Sequence, residues 1–215
     1  MPRSADPVAH RGLRVRGISC ERGGIRLFGP IDLLVDRGAA LFVLGPNGCG
    51  KSTLLRTLAG LTEPLAGDAH WIDEPVRFNS ASWRSRVAYL GHRLGHKEEL
   101  TVAENLALAA RLEGSAATTA AREGALAQVG LNGRQALPVR RLSQGQKQRL
   151  ALARLSLSER PVWLLDEPSA ALDAYAKDVL AQILDRHLRA HGIAIVATHD
   201  TLAVSAACAT NLRLA

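Results

Sequence analysis

Cysteine is scarce in this chain. Of 215 residues only Cys20, Cys49 and Cys208 carry a thiol, and no two of them form a CxxC pair. That spacing excludes the disulfide framework of a small secreted domain and points to a reducing compartment. Long apolar runs are also missing. No stretch approaches the roughly 18 consecutive apolar residues that would cross a bilayer. The start, Met1 to Gly17, is rich in arginine and has no apolar segment of the kind a signal peptide needs. The expectation is a cytosolic protein that reaches any membrane through a partner. Internal repeats and long Gly/Ser or Pro linkers are absent too, so one cooperative unit is expected. Lysine is the last shortage: the 27 basic residues comprise 23 Arg and only 4 Lys, against 20 acidic residues, for a net charge of +7. Such a charge suits nucleic acid, an anionic membrane surface or phosphate chemistry, and cannot choose among them. The 47% apolar content is enough for a sizeable core and excludes disorder as the main state.

What is present begins with short apolar runs. Leu41–Leu44, Val162–Leu165 and Ile193–Ala197 are each followed at once by polar or glycine-containing sequence, which predicts buried parallel strands with ligands at their carboxyl ends. Helix starts are legible as capping boxes. Thr101 with Glu104 opens a helix to about Leu112, and Ser143 with Gln146 opens one to about Leu157. Apolar residues at helical spacing (Val179, Ile183, Leu184, Leu188) predict a third helix over Ala174–His191, with Gly192 as its cap. The pattern is α/β with helices inserted from about residue 98.

The sharpest motif is Gly45-Pro46-Asn47-Gly48-Cys49-Gly50-Lys51-Ser52-Thr53, between the first of those strands and an apolar helix beginning near Thr53. It fits G-x-x-x-x-G-K-[ST], in which glycines let backbone N–H groups wrap phosphates, lysine reaches the β/γ-phosphates and the hydroxyl ligates Mg²⁺. ATP and Mg²⁺ are therefore the expected ligands of Gly45–Thr53, with Lys51 in the reaction itself and Ser52 on the metal. Cys49 is either a small loop filler or a thiol in a positive field. Downstream, Asp166 ends an apolar strand, where it can serve Mg²⁺. Glu167 is placed to orient or deprotonate the attacking water, and His199, ending another strand, can contact the γ-phosphate.

Leu142-Ser143-Gln144-Gly145-Gln146 resembles the Leu-Ser-Gly-Gly-Gln signature of ATP-binding cassette (ABC) ATPases, departing from it at Gln144. Val162–Pro168 resembles their strand ending in Asp-Glu, Ala171-Leu172-Asp173 their D-loop, and Ala197–Asp200 their switch histidine, all in family order. The resemblance implies a P-loop NTPase core with a parallel sheet and an N-terminal antiparallel β part. It also implies a helical lobe near 98–155 within a single domain, 1–215. It implies that Ser143, Gly145, Gln146 and Asp173 face nucleotide held by a second copy in a head-to-tail dimer. Two family positions are altered: Arg22 stands where an adenine-stacking aromatic is expected, and His92 occupies the slot of the Q-loop glutamine. Arginine can stack on a base and neutral imidazole can meet water or metal.

Finer features, among them Tyr89-Leu90-Gly91-His92, Gly95, Lys97 and Cys20-Glu21-Arg22, resemble the ATP-binding subunits of bacterial cytochrome c maturation haem exporters. This implies a peripheral subunit on the cytoplasmic face of the inner membrane, working through integral membrane subunits on haem export or haem-chaperone release. Direct haem binding by His92 and His96 is not expected, because Gly91 and Gly95 disfavour a regular helix there. His187 and His191 read as a solvated helix face, with a metal pair the geometric alternative. An ABC ATPase moving another substrate, one acting on nucleic acid, and a non-hydrolysing regulator are the rival readings. The nucleic-acid members carry two cassettes or long insertions, which 215 residues do not accommodate, so no nucleic acid is expected. Finally, residues 77–97 carry five basic residues and residues 134–154 six, with no acid in either block. They read as a field on ATP phosphates and anionic lipid.

Overall fold

The computed structural model describes residues 12–199 and 209–214; Cys208 and Asp200 lie outside the described residues. Five strands form a parallel sheet: β3 (Ala40–Leu44), β6 (Val87–Leu90), β7 (Val162–Asp166), β8 (Ile193–Ala197) and β9 (Ala209–Arg213). Their order is β6-β7-β8-β3-β9. All three predicted strands are there, β3 and β7 each one residue longer. β7 and β8 are buried at every position. Alternate residues serve opposite faces: Leu41, Val43, Val162, Leu164, Ile193 and Ile195 enter one apolar cluster, and Ala40, Phe42, Trp163, Leu165, Ala194 and Val196 the other. A sheet covered on both sides needs this continuous apolar sequence, which is why the runs were legible.

The first cluster is closed by α1 (Lys51–Leu58) and a second, antiparallel sheet of β1 (Leu13–Arg22), β2 (Ile25–Val35), β4 (Ala66–Trp71) and β5 (Glu74–Pro75). A short helix, α2 (Ala81–Arg84), capped by Ser80, places Trp83 in that cluster, where its indole N–H donates to the Leu58 carbonyl at 2.6 Å. On the other face lie α3 (Val102–Glu113), α4 (Thr119–Gln128), α5 (Gln144–Ser156) and α6 (Ala174–Arg189). The inserted helices have no separate core: Leu106, Leu126 and Leu150 share one cluster with Trp163 and Leu184. Asn105 is buried on α3 and binds the Lys97 N–H and the Lys97, Leu100 and Thr101 carbonyls, fixing the approach to the helix.

The end of α6 differs from expectation. The left-handed residue is His191 (φ 62°), not Gly192, and the Gly192 N–H donates to the His187 carbonyl, as in a Schellman ending. Gly192 is needed for another reason: a Cβ there would lie 2.1 Å from the His187 ring. His187 is buried, not solvated. It stacks on Trp163 (centroids 3.8 Å apart, planes at 6°) and its Nε2 meets the Ile193 carbonyl at 3.0 Å. Burial pushes it down to about 4, keeping it neutral.

Candidate nucleotide-binding site

The sequence from Leu44 to Lys51 must leave a strand, turn sharply and enter a helix. Gly48 and Gly50 make that turn in left-handed conformations, φ 85° and 99°. Gly45 is constrained by space, since a Cβ there would meet the Leu214 carbonyl at 2.5 Å and the Cys49 Sγ at 2.7 Å. α1 begins at Lys51, two residues earlier than expected, with no side-chain cap and no acid in its first turn. Its N-terminal partial charge is thus left for an anion. Lys51 is buried and folds into its own loop, donating to the carbonyls of Gly45 (2.8 Å) and Pro46 (3.1 Å). Thr53 follows in the first turn, its carbonyl accepting from Thr57.

Strand ends bring three more groups to this loop. Asp166 closes β7, buried, and its Oδ1 accepts from the Ser52 hydroxyl at 3.0 Å. Glu167 turns out of the strand in a left-handed conformation (φ 51°), held by its N–H to the Ala197 carbonyl. A non-glycine residue adopts this at a cost of about 1–2 kcal/mol, tolerated where the surroundings over-determine it. His199, past the end of β8, has Nε2 2.7 Å from Asn47 Oδ1, 3.1 Å from Lys51 Nζ and 3.3 Å from Glu167 Oε1. Lys51, Asn47, Glu167 and His199 therefore form one contacting group, and Ser52 with Asp166 a second pair at the adjacent positions of the loop and the strand end. Tyr89, on neighbouring β6, lies close enough to Asp166 that burial and that carboxylate together push its hydroxyl up to about 12.

Two hard oxygens, Ser52 Oγ and Asp166 Oδ1, stand 3.0 Å apart beside the loop, a donor pair that suits Mg²⁺ shared with substrate phosphates. Among the described residues no three His, Cys, Asp or Glu side chains cluster as a metal cage. A metal held by one or two protein oxygens needs none.

The remaining predicted residues occupy a second place. Ser143 and Gln146 satisfy each other in a capping box: the Gln146 N–H donates to Ser143 Oγ (3.2 Å) and the Ser143 N–H to Gln146 Oε1 (3.0 Å). Gly145 faces the Ala171 carbonyl, 2.9 Å from where a Cβ would stand. Gln144 is exposed at the helix start. Ser143, Gly145 and Gln146 line a pocket of about 310 Å³ with Gly130, Arg134, Arg149, Ala171 and Asp173. Asp173 caps α6 through the Ala176 N–H and pairs with Arg149. The Ala176 N–H, and then Arg149, hold its carboxyl below the usual range. No hydrogen bond or ion pair among the described residues joins these pocket residues to the Lys51 group.

His92 is exposed and makes no hydrogen bond or ion pair among the described residues, so no contact brings it to the Lys51 group. Arg22 ends β1, but its side chain lies outside the described residues. His96 is half-buried against the Lys147 carbonyl (2.8 Å); burial lowers its pKa. Sequence reasoning missed Gln148, buried and donating to the Pro168 carbonyl beside Glu167, because a glutamine inside a helix carries no motif signal. The two basic blocks, which hold no acid in sequence, are partly neutralised in space. Acids from elsewhere reach into both blocks: Glu74 meets Arg86, Glu98 meets Lys147 at 2.6 Å, Glu99 meets Arg140 and Asp173 meets Arg149.

The order of these elements decides the family, because the ABC transporter profile matches residues 28–170. This chain belongs to the ABC transporter family. The ATPase is 48% identical over 190 residues to the cytochrome c biogenesis ATP-binding export protein CcmA of Cupriavidus necator, covering 88% of this chain and 84% of the relative. It is 43% identical over 202 residues to CcmA of Dechloromonas aromatica, covering 94% and 99%. Among solved structures, an ABC transporter ATP-binding protein from Pyrococcus furiosus superposes with a TM-score of 0.81 at 25% identity, covering 94% of this chain and 96% of the other. None of the helices among the described residues is long and apolar enough to cross a membrane.

Proposed function

We propose that this chain hydrolyses ATP as the nucleotide-binding subunit of a membrane complex that exports haem, or releases haem-loaded chaperone, for cytochrome c biogenesis. The observation that carries the reading is the convergence of Lys51, Ser52, Asp166, Glu167 and His199 in a chain nearly half identical to CcmA. Lys51 and the N–H groups of Gly45–Thr53 take the β/γ-phosphates, exchanging the loop carbonyls for phosphate oxygens. Ser52 and Asp166 would hold Mg²⁺, which when bound would neutralise charge developing on those oxygens. Glu167 orients the attacking water and accepts its proton; His199 steadies the γ-phosphate.

Ser143, Gly145 and Gln146 stand apart from the Lys51 group, which is why one chain makes half of each site. A head-to-tail pair, each copy lending its α5 start to the other's nucleotide, completes two sites. His92 and Arg22 are proposed to touch water and base respectively. The pair works on the cytoplasmic face of the bacterial inner membrane against integral membrane subunits, without binding haem itself or nucleic acid. The test is deletion of the gene in its host, staining for covalent c-type haem, and complementation. Covalent haem is expected to vanish and return with the wild-type gene but not with Glu167→Gln. Normal staining in the deletant would overturn the cellular role.

A further inference from the structure

The pocket at the start of α5 contains one basic group that neither the motifs nor the capping network uses. We propose that Arg134 is a further contact to the polyphosphate of the nucleotide held by a second copy of this chain, acting beside Ser143 and Gly145. The proposal rests on the head-to-tail pairing above. Only two basic residues, Arg134 and Arg149, line this pocket, and Arg149 is committed to Asp173. Asp173 is also the pocket's one carboxylate, and it is spent on Arg149 and the Ala176 N–H. Arg134 is exposed and makes no hydrogen bond or ion pair through its side chain among the described residues, whereas Arg140 and Lys147 in the same basic block are paired with Glu99 and Glu98. The backbone around it is fixed: the Arg134 N–H donates to the Leu131 carbonyl at 3.2 Å, and the Arg134 carbonyl accepts from Leu137 at 3.0 Å. An unneutralised guanidinium therefore stands on a held turn beside the positive end of a 13-residue helix. The ligand that suits both is a multiply charged anion with several oxygens, and a fork of N–H donors can take two of them at once.

The test uses the full chain carrying Glu167→Gln, which is expected to form a stable pair with ATP and Mg²⁺, followed by light scattering. Adding Arg134→Ala is expected to raise the ATP concentration for half-maximal pairing by about tenfold or more, with Arg134→Lys in between. ATP binding to dilute single chains and the melting temperature are expected to be unchanged, because the side chain is exposed and the contact is made in trans. Pairing at the parent's ATP concentration, or weakened binding to single chains, would overturn the role of Arg134. A Glu167→Gln parent that stays single at saturating ATP overturns the pairing itself, a separate failure visible before Arg134 is touched.

Discussion

His187 provides a measurable acid weakness in a part of the fold far along the chain from the phosphate loop. In the folded protein burial pushes it down to about 4, against 6.5 for the free side chain. The unfolded chain therefore takes up a proton before the folded one does, and stability contributed by neutral His187 is fully present above about pH 6.5. It is lost progressively as pH falls towards 4. Integrating between those values gives a total loss of about 3 kcal/mol, of which about 2 kcal/mol is gone by pH 5. The cause is local: Nε2 is engaged by the Ile193 carbonyl, while Trp163 covers the ring face and Gly192 crowds its edge. Urea unfolding of the wild type and of His187→Gln at pH 7.5 and pH 5.0 isolates this from every titration the two share. The wild type is expected to lose about 2 kcal/mol more than the variant over that interval. Equal losses in the two proteins would refute the assignment of His187 as a buried neutral core residue.

Two glycine substitutions test separate links between packing and function. Gly192→Ala drives a methyl to 2.1 Å from the His187 ring. It should destabilise by about 1–3 kcal/mol, read as a lower denaturant midpoint at constant slope; an unchanged midpoint would count against the packing described. Gly145→Ala places a methyl 2.9 Å from the Ala171 carbonyl, whose own residue is held at φ 59° and has little room to yield. ATP turnover should fall by about tenfold, and the melting temperature by a few degrees because the clash is with backbone; full turnover in this variant would show that the start of α5 need not meet the other copy's nucleotide closely.

Much of the fold was written in short-range patterns. The strands β3, β7 and β8 showed as apolar runs because both faces of the sheet are covered. The two capping boxes at Thr101 and Ser143 showed because they are closed within four residues. The end of α6 misled for a physical reason: glycine at a helix end usually signals a left-handed residue, whereas Gly192 is there to make room for a ring five positions earlier. His187 misled in the same way. Spacing along a helix reports its partners on that helix, not a tryptophan on the strand beneath.

The sequence by itself determined the chemistry. Motif residues adjacent in the chain are constrained by the local turn and helix start that a phosphate needs, so Gly45–Thr53 declares its type without neighbours, whereas Asp166-Glu167 takes its meaning from following that loop in order. Only the tertiary structure decided which of them meet. It joined His199 to Lys51, Asn47 and Glu167 and set Ser52 against Asp166. It also turned Ser143, Gly145 and Gln146 to a separate pocket. Charge was decided at the same level: the basic blocks carry no acid along the chain, yet Glu74, Glu98, Glu99 and Asp173 reach them through folding. Electrostatic pairing depends on distance in space, which sequence separation does not encode, and Arg134 stands out only after those pairs have been made.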